Sequence, residues 1–391
     1  MHPVMIAGVA MTPFGKFLDR SLRALVEEAA AGALRDARCE AADIQAIYFG
    51  NAAAGVISDQ DMIRGQAALR HTGLAGLPIF NVENACASGS SALHLAASAV
   101  AAGQFDIVMA IGAEKLAHAD KARSFAALAR GVDQAEIAEA MANNAGTSSV
   151  FMDIYAAEAR EYMARSGATV ADFARVAEKN RNAAALNPLA QFRDGTTVEA
   201  VLASRTVSAP LTMLMCSGIG DGAAAIVVCS ARKAAQLGVQ PVQLRAWCVA
   251  SGAPEQGLSA APVRAAQAAY AMAGIGPGDV HVAEVHDASA PAELFVYEDI
   301  GLCGPNEGPA LLRSGATAVG GRISVNASGG LLGRGHPVGA TGAAQIVELV
   351  DQLRGRSGPR QRPGASVALA ENAGGSLAGM PAVAAVTILS R

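Results

Sequence analysis

The chain has 391 residues, with Lys+Arg 30 against Asp+Glu 34 for a formal net charge of −4, and it is 52% hydrophobic but only 16% charged. That length and apolar content allow two lobes and a sizeable core, which excludes a small stapled scaffold and a disordered chain. The absence of any basic block also excludes a nucleic-acid surface, and no apolar stretch reaches the ~18 residues of a membrane span.

The opening MHPVMIAGVAMTPFG lacks a basic n-region, so it reads as a first strand and not as a signal peptide. Residues 4–9 and 46–49 predict strands, and 21–37, rich in Ala, Leu and Glu, predicts a helix. Short buried runs at 106–111, 223–229 and 366–370 predict further strands. Such alternation argues for an α/β protein with mainly parallel sheets. From about 118 to 205 the chain is richer in charge. Helical stretches such as DIYAAEAREYMARSG and ADFARVAEKNRNAAA there predict an inserted segment covering one face of the core, as a lid or cofactor-binding surface.

One internal echo stands out. IFNVENACASGSSALHLAASAVAAG runs from strand through a small-residue loop into a helix, and QFDIVMAIGAEK follows as a strand. ISVNASGGLLGRGHPVGATGAAQIVELVDQL and then ASVALAENAGG repeat that order. A duplicated unit puts the two loops at equivalent sheet ends, where open α/β sheets hold their ligands. The halves fall at 1–240 and 241–391.

Six cysteines are scattered without a CxxC pair. The expectation is no metal site within the chain, no disulfide framework and a cytosolic setting. Cys86 lies where a strand passes into a helix, and free N–H groups there favour a thiolate, lowering the pKa from about 8.5. It is either a nucleophile or a buried structural cysteine. Cys216, before a glycine turn, is its one competitor. His336, between glycines and Pro337, has little to pack against, so a general base or oxyanion donor is expected. The glycines around it lack dinucleotide-loop spacing. His286 ends a strand-like run, as a site residue or as a core histidine with Asp287 capping the next helix. ENAGGSLAG (371–379) reads as a polar turn, either an anion nest or an ordinary glycine turn. His2, His71, His94, His118 and His281 read as structural.

Together these segments resemble the thiolase superfamily over nearly the whole chain. NACASGSSALHLA is similar to its nucleophile motif and NASGGLLGRGHPVGATG to its catalytic-histidine motif. EVHDASAPAEL, KNRNAAALNPLAQFR and PLTMLMCSGIGDGAAA resemble the SCP2-type or archaeal-type branch. The resemblance implies a five-layer αβαβα fold of two similar halves with a loop domain inserted in the first. It implies Cys86 as acylated nucleophile and His336 as its activating base, with His336 and His286 lining one oxyanion hole. The N–H groups of Cys86 and Gly374 would form a second. Coenzyme A would be a co-substrate, with no covalently bound cofactor and no metal.

Two departures stand against the family pattern. Asn372 occupies the place of the second, acid/base cysteine, and Ala288 occupies the place of the cysteine that replaces it in the SCP2-type branch. The remaining Cys-His-His set resembles that of elongating ketosynthases. The acid/base role is then expected at His286, with Glu371 second. The resemblance implies an acyl-CoA C-acyltransferase acting on a 3-oxoacyl-CoA, with an aromatic one such as the 2-benzoylsuccinyl-CoA cleaved by a member of the branch as the specific candidate. The alternatives are a carbon–carbon lyase or condensing enzyme, and a non-catalytic acyl-CoA-binding scaffold. It also implies a homodimer or larger, with DIVMAIGAE read as an otherwise exposed edge, and a small zinc-ribbon/OB-fold partner subunit.

Overall fold

The computed structural model describes residues 2–142 and 149–391, so 143–148 of the expected insertion lie outside the described residues. Twelve strands are described: β1 (Val4–Met11), β2 (Ile47–Gly50), β3 (Ile79–Val82), β4 (Ile107–Glu114), β5 (Thr206–Ser208), β6 (Leu211–Thr212), β7 (Gly222–Ser230), β8 (Val242–Ser251), β9 (Val282–Glu284), β10 (Ser324–Val325), β11 (Val367–Leu377) and β12 (Met380–Ser390). Ten of them form one continuous ladder in the order β10-β9-β11-β12-β8-β1-β7-β4-β2-β3.

The ladder is two five-strand copies joined through β1 and β8, whose pairing spans only Val4–Ile6 against Val242–Leu244. Within each copy three strands run parallel (β3-β2-β4 and β10-β9-β11) and the next two antiparallel. The sheets are therefore mixed, not mainly parallel, because each half closes with antiparallel neighbours.

Two helices, Ser88–Ala101 and Thr341–Arg354, occupy the middle layer. Their small residues Ala92, Ala96, Ala343 and Ala344 join Ile226 and Val228 of one half and Ala368 of the other in a single buried cluster. Helix Leu22–Ala37 covers the outer face of the first half, with Ser21 as N-cap and Leu25, Val26, Ala29, Ala30 and Ala33 on its buried stripe. Helices Ala261–Ala273, Ala290–Asp299, Val150–Ser166 and Val170–Ala185 bury the outer face of the second half. These layers are the αβαβα arrangement that the resemblance implies.

Two local expectations change. β4 lies between β2 and β7 and is buried along its whole length, so it is no edge. The outermost strand of that half is β3, with Phe80 45% exposed. Residues 371–377 are not a turn either. They continue β11 in register with β12, and the reversal falls at Ala378 and Gly379, both with positive φ. Among the described residues no helix is long and apolar enough to cross a membrane.

Candidate active site

The loops after β3 and β10 meet across the middle layer. A Cβ on Gly339 would stand 2.6 Å from Ala113 O, and one on Gly89 2.8 Å from Gly339 O. A side chain at Gly89 would push the two loops apart, and one at Gly339 would push the His336 loop off the end of β4. This contact brings three residues from distant parts of the chain together. The ligating atoms of Cys86, His286 and His336 all lie within 4.8 Å of one another. The two imidazoles meet edge to face, with ring centroids 5.2 Å apart.

Cys86 sits in the 3-10 turn Ala85–Ala87 at the start of helix Ser88–Ala101, directly after Ala85 at φ 47°. A non-glycine residue held there is strained, and such strain clusters at functional positions. The backbone N–H groups of Gly375 and of Cys86 itself face the sulfur and favour the thiolate. Burial outweighs them, with Glu114 adding to it, and the thiol is pushed up to about 12. The expected thiolate at the helix start is thus corrected: the resting group is a thiol.

His336 is 7% exposed and follows Gly335 at φ 109°, a backbone that side chains rarely adopt. Its Nδ1 lies 2.7 Å from Thr341 Oγ1, and that hydroxyl donates to Pro337 O at 3.1 Å. With its only proton committed, the hydroxyl accepts from Nδ1–H and leaves a lone pair on Nε2. Burial, with His286 and Arg334 nearby, holds the ring pKa well below the usual 6.5, so it is neutral and basic at the free nitrogen.

His286, just beyond β9, has the opposite tautomer. Ser90 Oγ donates to Asn372 Oδ1 at 2.9 Å, which turns the Asn372 amide nitrogen toward His286 Nδ1 at 3.0 Å. Nδ1 accepts, and the ring proton sits on Nε2. Burial lowers this pKa to about 4. A neutral Nε2–H donates well but cannot take a proton, so the geometry favours an oxyanion donor over the expected acid/base role. Asn372, standing where the family has a thiol, sets that tautomer.

Asp287 does not cap the helix that follows it. Its carboxylate accepts from the N–H groups of Leu331 (2.7 Å) and Leu332 (3.4 Å), at the start of the short helix Gly330–Gly333. Asn180 Nδ2 bridges Asp287 and Glu293, both at 2.7 Å, and Asn326 Nδ2 reaches Glu293 at 2.7 Å. This buried network ties the β9 end carrying His286 to the loop carrying His336. Asp287→Ala would orphan these donors, each worth about 1–3 kcal/mol when buried unmet. Urea denaturation should show a loss of about 2–5 kcal/mol.

Gly374 packs on the Cys86 turn, where a Cβ would stand 2.3 Å from Asn84 O. Cys216 donates to Thr212 O at 3.4 Å and packs into the outer core of the second half, outside the three-residue cluster. Thr341 and Gly375 were not picked out from the sequence. A hydroxyl one helical turn past a fixed histidine was the available signal for the first. Nothing local marked the second, whose role depends on its position in β11 beside the Cys86 turn and its positive φ of 64°. Two cavities flank the cluster. One of about 240 Å³ is lined by Cys86, Arg64, Arg130, Phe151 and Val338. The other, of about 230 Å³, is lined by His286, Glu371 and residues of helices Val150–Ser166 and Ala290–Asp299.

Residues 4–232 match the model described as thiolase, N-terminal domain, and 250–391 the thiolase C-terminal domain-like model. The acetyl-CoA acetyltransferase of Methanothermobacter thermautotrophicus is 40% identical over 100% of both chains. The benzoylsuccinyl-CoA thiolase subunit BbsB of Thauera aromatica is 37% identical over 95% of this chain and 94% of its own. The solved Ltp2-ChsH2(DUF35) aldolase superposes with a TM-score of 0.82 at 28% identity, over 99% of this chain and 97% of that one. Matched in both parts and along nearly its whole length, the chain belongs to the thiolase family of acyltransferase enzymes.

Proposed function

We propose that the protein is an acyl-CoA C-acyltransferase that cleaves or forms a 3-oxoacyl-CoA through a Cys86 acyl-enzyme, with coenzyme A as co-substrate. The observation that carries this reading is the pair of opposite histidine tautomers within 4.8 Å of the Cys86 sulfur. In thiolysis, His336 Nε2 takes the thiol proton as the sulfur adds to the keto carbon. The Cα–Cβ bond breaks, its electron pair goes to the α-carbon, and the His336 imidazolium returns the proton there. Coenzyme A then gives its thiol proton to His336 as its sulfur attacks the thioester. The Cys86 thiolate leaves and regains that proton. One imidazole carries every proton, which accounts for Asn372 and Ala288 at the two places of the missing thiol. His286 Nε2–H donates to the thioester oxygen of the enolate, alongside protonated His336, and the N–H groups of Cys86 and Gly374 hold the keto-derived oxyanion.

His286→Ala should lower kcat about 10²–10³-fold, the cost of one oxyanion donor, while acylation of Cys86 by acetyl-CoA, followed by intact mass, persists. Acylation lost together with turnover in that variant would put His286 in thiol activation instead.

A lyase reading has two observations in its favour: the two absent thiols, and 28% identity to an aldolase. Cleavage of a 3-hydroxyacyl-CoA to a carbonyl compound and a shorter acyl-CoA, with no coenzyme A consumed and no acyl group on Cys86, would select it. An unreacted thiol with no turnover of any kind would select the scaffold reading.

We also propose a homodimer or larger, formed at the free edge of β3, where Phe80 stacks on Tyr48 with ring centroids 5.1 Å apart. Light scattering at micromolar concentration should give at least twice the 39.4 kDa chain mass. Co-purification from native cells tests the zinc-ribbon/OB-fold partner.

A further inference from the structure

Acyl transfer uses Cys86, His286 and His336 one proton at a time, yet their three ligating atoms also form a set that a metal ion can take at once. Among the described residues they are the one group of three His, Cys, Asp or Glu side chains placed to hold an ion, with all ligating atoms within 4.8 Å of one another. Two imidazole nitrogens and a sulfur are donors for zinc, whereas magnesium and calcium take oxygen. In a tetrahedral zinc site such atoms stand about 3.3–3.6 Å apart, so closing the set takes a shift of about 1 Å. Cys86 is half-buried and lines a cavity of about 240 Å³, which gives its sulfur room to turn and an ion its way in. Asp61 and Glu83 line that cavity along with Arg64 and Arg130, so the entrance carries no net positive charge. The buried carboxyl of Glu114 disfavours a thiolate standing alone, and the same field favours a cation beside the sulfur.

The surroundings supply what a metal-bound imidazole needs, an acceptor for its other ring N–H. His336 already has one: Nδ1 donates to Thr341 Oγ1 at 2.7 Å, and Nε2 carries the lone pair. His286 gains one by a single amide turn. With Asn372 turned over, its Oδ1 accepts from His286 Nδ1–H, and Ser90 Oγ, which donates to Oδ1 at 2.9 Å in the resting site, accepts from Nδ2 instead. The ring proton thereby passes from Nε2 to Nδ1, and Nε2 is free to bind.

We propose that Cys86, His286 and His336 form a three-ligand zinc site, and that a zinc ion bound there shuts the enzyme off reversibly by holding the sulfur and both Nε2 atoms at once. One Zn–S and two Zn–N bonds form, the thiol proton leaves to solvent, and no oxidation state changes. Water takes the fourth position. The effect on turnover rests on the acyltransferase reading above, whereas binding itself does not.

The test uses the full chain, first stripped of metal by a chelator, with zinc alone as the probe. Competition with a chromophoric chelator at neutral pH should give one zinc per chain at a Kd of about 1 μM or tighter, and no uptake of magnesium. Cobalt in its place should show thiolate-to-cobalt charge-transfer absorption, which Cys86→Ala should remove. Cys86→Ala, His286→Ala and His336→Ala should each weaken zinc binding more than about 100-fold, beyond the cost of losing an outer partner. Asn372→Asp gives His286 Nδ1–H a permanent acceptor. Zinc should then bind about tenfold tighter while turnover falls, since Nε2–H is lost as a donor, and a merely structural change would not move the two in opposite directions. One equivalent of zinc should prevent acylation of Cys86 by acetyl-CoA, read by intact mass, and EDTA should restore it. Zinc uptake unchanged in Cys86→Ala, a cobalt spectrum without the thiolate band, or weaker binding in Asn372→Asp overturns the proposal, as does full acylation with zinc bound. A chain that never acylates Cys86 even without zinc removes the acyltransferase reading, while the cobalt spectrum still decides the site.

Discussion

Cys86→Ala should reduce acyl transfer by at least about 10⁴-fold, because no other described thiol shares the two imidazoles and loss of an activated nucleophile removes the covalent route. The same thiol should have an unusual pH dependence. With its pKa pushed up to about 12, the thiolate fraction rises about tenfold per pH unit from pH 7 to 10 without a plateau. Iodoacetamide labelling of Cys86, read by peptide mapping, should follow that slope. A plateau between pH 5 and 8 would show a resting thiolate–imidazolium pair and refute the neutral pair described above. The cysteine is half-buried and opens on a cavity, so it should still label ahead of fully buried Cys229.

The second large effect belongs to His336 and the hydroxyl behind it. His336→Ala should cost about 10²–10⁴-fold in kcat, the range of general acid–base catalysis. It should abolish exchange of the acetyl-CoA α-proton in D₂O as well, since one imidazole carries every proton. Thr341→Val keeps the shape but removes the acceptor for Nδ1–H. The proton can then move to Nε2, where it blocks the base. We expect a loss of about 10–10²-fold, mostly in kcat, with Thr341→Ser restoring it. Because the His336 pKa lies well below 6.5, the base stays unprotonated down through mildly acidic pH. The acid limb of kcat/KM should therefore fall well below pH 6.5. A limb at 6.5 or above in the wild type would contradict the buried, neutral ring.

The sequence by itself determined the strands β1, β2, β4, β7 and the start of β11, the middle-layer helices, the duplication and the three side chains that meet at the candidate site. Each is a local signal: apolar runs of strand length such as 106–111 and 223–229, an Ala-, Leu- and Glu-rich helix at 21–37, and a cysteine and histidines at strand ends and among glycines. Strand neighbours were not legible. Whether β4 is an edge, and whether 371–377 turn or continue, depends on which strands from elsewhere supply hydrogen bonds, and that is a long-range choice. Protonation was not legible either. A helix start favours a thiolate, but the desolvation that outweighs it comes from burial against other elements, Ala53, Ile57, Leu116, Ala127 and Val338 among them. The tautomers of His286 and His336 likewise follow from partners, Asn372 with Ser90 and Thr341 with Pro337, whose orientation exists only once both halves have folded around the middle layer. Local sequence chose which groups could react; tertiary packing chose which of them holds a proton, because desolvation and hydrogen-bond direction are properties of the surroundings.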